Sequence, residues 1–159
     1  MTSDLDRLDV AVLQMIVKQP RAGVREFARQ LGVARGTVQA RLDRLHRTGA
    51  LASYRPHMAP AAMGFAGLAY IHLNLAQGML DETSRHLAEI PEIMEGYSIT
   101  GEADMLCQVV AKDNADLERV VQIIIAVPGV IRCRTEVVLS RRIEPRITPL
   151  LEKLAKETA

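Results

Sequence analysis

The apolar residues of this chain change their spacing once, near residue 64, and that change limits the architectures open to it. Up to residue 47 they recur at helical intervals: Leu5, Leu8, Val12 and Ile16; Val24, Phe27, Ala28 and Leu31; Val38, Leu42 and Leu45. From Ala69 onward the period is two, with Ala69, Ile71, Leu73 and Leu75 alternating with Tyr70, His72 and Asn74. Between these regions "PHMAPAAMG", 56–64, has two prolines and small residues and reads as a linker. A chain of 159 residues is long enough to form two small domains.

In the first region Ser3 is placed to cap a helix that ends before Pro20. Gly23 precedes a second, short helix. "GVA" at 32–34 is a tight turn, and a third helix runs from about Arg35 to Arg47, with Gly49 as its left-handed cap. "ALASYR", 50–55, reads as a short strand. Two helices joined by a three-residue turn give a helix-turn-helix, winged by that strand.

The second region reads strand, helix, strand, strand, helix, strand. A helix at about 79–90 turns Leu80, Thr83, Leu87 and Ile90 inward and stops at Pro91. "IMEGYSIT" and "MLCQVVA" are strands, Leu117, Val120, Val121 and Ile124 mark a helix ended before Pro128, and "VIRCRTEVVLS" is the last strand. On it Ile131, Cys133, Thr135 and Val137 alternate with Arg132, Arg134 and Glu136. This order fits a ferredoxin-like βαββαβ sandwich, a four-stranded antiparallel sheet with both helices on one face. The other face carries Tyr70, His72, Arg132 and Arg134 and is of the kind a partner subunit covers. The expected class is therefore α+β: a winged helix-turn-helix at 1–55, a linker at 56–64, the sandwich at 65–140, and a tail helix within 141–159.

Charge separates the two regions. The net charge is +1, yet residues 1–57 carry ten Lys/Arg against five Asp/Glu, and 58–159 carry ten against fourteen. A basic module joined to an acidic one suggests that the first meets an anion. Its cations are nearly all arginine, which suits bidentate contact with phosphates and guanine. Residues 58–80 lack charge, but Pro60, Gly64, Gly67, His72, Asn74, Gln77 and Gly78 do not suit a membrane span. An N-terminus with Asp4, Asp6 and Asp9 does not read as a secretion signal, and Cys107 and Cys133 have no paired spacing; a reducing, cytoplasmic setting is expected.

On a wheel of about 100° per residue, Val38, Leu42 and Leu45 share one side of the third helix. The opposite side centres on Gly36 and Ala40, with Arg44 and Arg47 beside them, Thr37 and Arg41 on one edge, and Arg35 and Gln39 on the other. Small residues permit close approach, and the surrounding cations, joined by Arg21 and Arg25, call for an anion. A helix in the major groove of double-stranded DNA needs this arrangement. A merely solvated face would intersperse acids, but residues 21–47 hold seven arginines and only Glu26 and Asp43.

"LDRLDVAVLQMI", "RAGVREFARQLGVARGTVQARLDRLHRTGALASY" and "MAPAAMG" closely resemble the N-terminal domain of the Lrp/AsnC (feast/famine) bacterial transcription regulators. The second region resembles that family's ligand-sensing domain, with "TGEADMLCQVV" at its glycine-x-x-aspartate loop. The resemblance implies a dimer built on the sheets, assembling further to a tetramer or octamer, palindromic DNA sites, and an amino acid effector bound between dimers. It implies DNA contact by Arg35, Gly36, Thr37, Gln39 and Arg41, and effector contact by Thr100, Gly101 and Asp104, with Thr135 a weaker candidate. Backbone N–H groups around Gly101 suit a carboxylate, and Asp104 suits an α-ammonium. The chain departs from the family at Ala34, where a capping Ser or Thr is usual, and at Ala103 and Met105, where aromatic residues are common.

Siroheme decarboxylases look like these regulators, so an enzyme is one alternative. His46, His57, His72 and His86 are scattered over different segments, no Cys/His spacing suits a metal, and no nucleophile lies beside a base. The expectation is a regulator with no catalytic residues and no cofactor. The other alternative is a DNA-bending scaffold without an effector.

Overall fold

The computed structural model describes residues 5–52 and 58–158. The chain divides into two units. One joins the N-terminal helices to the segment from Ile143 onward; the other carries the sheet and runs to Arg142.

In the helical unit, α1 (Arg7–Lys18) starts at Asp6 rather than near Ser3, which lies outside the described residues. The Asp6 side chain accepts from the Asp9 amide at 2.9 Å, and the Asp9 side chain accepts from the Asp6 amide at 3.1 Å. This reciprocal pair satisfies two donors that a helix start otherwise leaves open, and its negative charge suits the helix dipole. The short α2 (Val24–Leu31) ends at Gly32, whose φ of 67° is a left-handed cap. Next, α3 (Arg35–Arg47) begins at Ala34 without a side-chain cap and is followed by Gly49 at φ 75°. No strand runs through Ala50–Ala52, and the rest of the expected wing, 53–55, lies outside the described residues.

The core of this unit is Val12, Leu13, Ile16, Phe27, Ala28, Val38, Leu42 and Leu45. It has one more member. Leu151, on the tail helix that becomes α6 once the sheet unit's two helices are numbered (Thr148–Glu157), is only 5 % exposed and packs into the same cluster against α1. The tail therefore belongs to the helical unit, so the chain enters that unit twice.

The sheet unit runs β1 (Gly67–Leu75), α4 (Leu80–Leu87), β2 (Ile93–Ser98), β3 (Met105–Ala111), α5 (Asn114–Ile125) and β4 (Val130–Val137). Pairing is antiparallel throughout, in the order β2-β3-β1-β4. Ala69, Ile71 and Leu73 of β1 and Cys107 and Val109 of β3 pack under Leu87, Ile90, Leu117, Val120 and Ile124, as period two in the strands and 3.6 in the helices requires. Asp113 caps α5 through the Asp116 amide at 2.9 Å.

One inward assignment does not hold, and the alternation expected of β4 fails at its start. Leu80 is exposed, because the first turn of α4 overhangs a groove beside β2 instead of the sheet. Ile131 is 70 % exposed. Leu75 pairs with Val130 but Asn74 with Arg132, so Ile131 is the extra residue of a bulge, and strict alternation fails there. Cys107 and Cys133 are free thiols on strands that β1 separates, and burial pushes the Cys107 thiol up to about 11.

Candidate nucleic-acid interface and effector loop

Burial of Val38, Leu42 and Leu45 sets the rotation of α3, and the rotation decides which side chains reach solvent. Arg35, Gly36, Thr37, Gln39, Ala40 and Arg47 are exposed. Gly36 has an ordinary helical φ, and a Cβ built on it meets nothing within 4 Å. Neither backbone geometry nor internal packing requires glycine there. The bare ridge of Gly36 and Ala40 is thus a feature of the outer surface.

The surrounding charges fall into two sets. Arg21, Arg25, Arg35 and Arg47 are exposed and meet no carboxylate among the described residues. Arg29 instead holds Glu26 through two bonds, of 2.9 and 2.5 Å. With Gln30 also donating, Glu26 is held down to about 2. Gln39 is exposed but donates to Asp43 at 2.9 Å. No side chain caps α3, so its N-terminal end, with its partial positive charge, opens beside Arg35.

Arg41 and Arg44 do not stand outward with Arg47 as the wheel suggested. Arg41 donates to Asp6 and lies 3.2 Å from Asp9, and Arg44 lies 3.1 Å from Asp9. In the sequence the early aspartates speak against a secretion signal. Their Asp-x-x-Asp spacing was the available signal of the capping box; the ion pairs to α3 had none, because they join residues more than thirty positions apart.

In the sheet unit, Thr100, Gly101 and Asp104 come together on the loop between β2 and β3. Gly101 has φ 119°, which favours glycine. Asp104 ties the loop to the end of β1: its N–H donates to Leu73 O at 2.9 Å and its carboxylate accepts from the Leu75 N–H at 2.8 Å. Asn74 donates to Glu102 O at 2.6 Å. Asp104 forms no ion pair among the described residues. Thr135 is not part of this group; it sits in mid-strand on β4 opposite Ile71. The sheet face away from the helices carries Tyr70, His72, Arg134 and Glu136, with His72 3.5 Å and Arg134 3.2 Å from Glu136. Among the described residues no His, Cys, Asp and Glu cluster is arranged to hold a metal, and no helix is long and apolar enough to cross a membrane.

Comparison with known proteins matches residues 5–46 to the AsnC-type helix-turn-helix domain and residues 68–147 to the Lrp/AsnC ligand binding domain. The HTH-type transcriptional regulator FL11 of Pyrococcus horikoshii is 29 % identical over 146 residues, 92 % of this chain and 97 % of that protein. That relative is archaeal, so the family matched here is not confined to bacteria. AsnC of E. coli superposes with a TM-score of 0.84 at 23 % identity, over 91 % of this chain and 99 % of that one. The transcriptional regulator NMB0573 of Neisseria meningitidis, solved as a complex with L-Met, gives 0.80 at 20 % identity, over 92 % and 99 %.

Proposed function

Because this chain belongs to the Lrp/AsnC family of transcriptional regulators, which are not enzymes, we propose that it binds palindromic sites on double-stranded DNA as a dimer or larger assembly and answers to an amino acid. The observation that carries the DNA arm is Gly36: a glycine on the exposed side of the first turn of α3 that nothing inside the protein requires, next to Arg35, which meets no carboxylate among the described residues. In the groove, Gly36 and Ala40 let the helix axis approach the bases, Thr37 and Gln39 face base edges, and Arg35 and Arg47 with Arg21 and Arg25 reach phosphates.

Stacking of the uncovered sheet faces supplies the dimer, and dimers assemble further to tetramers or octamers. A two-fold protein reads half-sites about one helical turn apart. The Thr100–Asp104 loop takes the amino acid, with N–H groups near Gly101 toward its carboxylate and Asp104 toward its ammonium; the L-Met complex of NMB0573 supports this class of ligand. Thr135 stays outside this reading. The place of action is the nucleoid in the cytoplasm.

Gly36→Leu tests the DNA arm. A side chain there has free space in the protein, so thermal stability holds or rises, while affinity for duplex DNA falls at least about tenfold as the helix is pushed from the bases. Unchanged affinity would remove α3 from the groove.

A further inference from the structure

Arg41 and Arg44 are one helical turn apart on α3, and both reach back to the start of α1. Arg41 Nη1 donates to Asp6 and lies 3.2 Å from Asp9 Oδ1; Arg44 Nη1 lies 3.1 Å from Asp9 Oδ2 and 3.9 Å from Asp6 Oδ2. The Asp9 side chain is fully buried, and the two guanidinium side chains are only 28 % and 32 % exposed. The same carboxylates close the capping box of α1, so their positions are fixed from both sides. The capping bond from the Asp9 amide, then Arg41, holds Asp6 below the usual carboxylate range. The hydrogen bond to Asp6 in turn raises Arg41 above its ordinary value. Withdrawing either arginine would leave the buried Asp9 carboxylate short of a counter-charge.

We propose that Asp6 and Asp9 are positioning residues for DNA recognition: they hold Arg41 and Arg44 against α1, lock the rotation of α3, and withhold those two cations from the phosphates. The proposal rests on α3 lying against DNA. Phosphate contact then falls to Arg21, Arg25, Arg35 and Arg47, and a count of arginines along α3 overstates the counterions released on binding.

The dependence of affinity on salt reads this directly. The full chain is titrated onto a mixed-sequence duplex, followed by fluorescence anisotropy, between about 50 and 200 mM KCl. Each phosphate contact adds about −0.9 to the slope of log K against log salt, so Arg47→Gln flattens the slope by about 0.9 per protomer and Arg41→Gln leaves it unchanged. The Asp6→Asn, Asp9→Asn double variant, whose amide oxygens can still accept the capping bonds, steepens it by up to about 1.8 per protomer as the freed cations reach phosphates. A purely structural role for the aspartates would change affinity and melting temperature but not the slope. If Arg41→Gln flattens the slope as much as Arg47→Gln, the proposal is overturned; should the double variant not fold, that contrast decides alone. A wild-type slope near zero is a different result and sinks the DNA reading itself.

Discussion

In the sheet unit, Arg119 lies 2.5 Å from Glu92 and 2.7 Å from Asp116, and Arg134 lies 3.2 Å from Glu136 and 3.6 Å from Glu102. In the helical unit, Arg21, Arg25, Arg35 and Arg47 are exposed and meet no carboxylate among the described residues, while Arg29, Arg41 and Arg44 are paired. The first pattern is the ordinary surface chemistry of a folded domain, where exposed pairs contribute about 1 kcal/mol or less. The second leaves exposed cations without a counter-charge of their own, as suits a surface where a polyanion brings it. Asp104 of the sheet unit likewise forms no ion pair among the described residues, on the loop that holds Gly101 at φ 119°.

The sharpest way to break this contrast is charge reversal. The Arg35→Glu, Arg47→Glu double variant should lose roughly 1,000-fold in affinity for duplex DNA at moderate salt, with stability within about 0.5 kcal/mol of wild type. Arg119→Glu, in the same binding assay, should change affinity little. Equal losses from the two would erase the distinction.

A second variant asks whether the units are separately built. Leu151→Ala removes a buried side chain from the helical core and should lower the stability of that unit by about 3 kcal/mol, while the sheet unit's own calorimetric transition stays in place. A common downward shift of both transitions would show one shared core. The smallest effect concerns the unpaired carboxylate. By calorimetry with single amino acids, Asp104→Asn should weaken binding about tenfold, since the amide oxygen can still accept from the Leu75 N–H but the charge for an ammonium is gone. If wild type and variant bind no amino acid, the effector arm fails and the DNA arm stands.

What could be read in advance follows from the range of each interaction. Apolar spacing is local, so the helices, the strands and the inward side of α3 were legible, and the strand order followed from the βαββαβ sequence. Thr100, Gly101 and Asp104 came from the resemblance, not from the spacing of apolar residues. The misreadings came from competition among local options and from distant partners. Asp6, not Ser3, caps α1, because Asp9 lies three residues on to reciprocate. One inserted residue slipped the phase of β4 at Ile131. Arg41 and Arg44 belong by periodicity to the exposed half of the helix, and only the carboxylates of α1 turn them back. Leu151 looked like one apolar residue of a short amphipathic tail, with nothing nearby in sequence to show that α1 would receive it.

That returning tail has a consequence for how the regulator comes into being on the ribosome. The first three helices emerge early, but their hydrophobic centre lacks a side chain made some hundred residues later, after the whole intervening sandwich. Bringing such distant segments together carries a loop-closure entropy that grows with chain length, and prior folding of the intervening segment reduces it by shortening the effective loop. A nascent chain therefore completes its helical unit late, only once α6 has been translated.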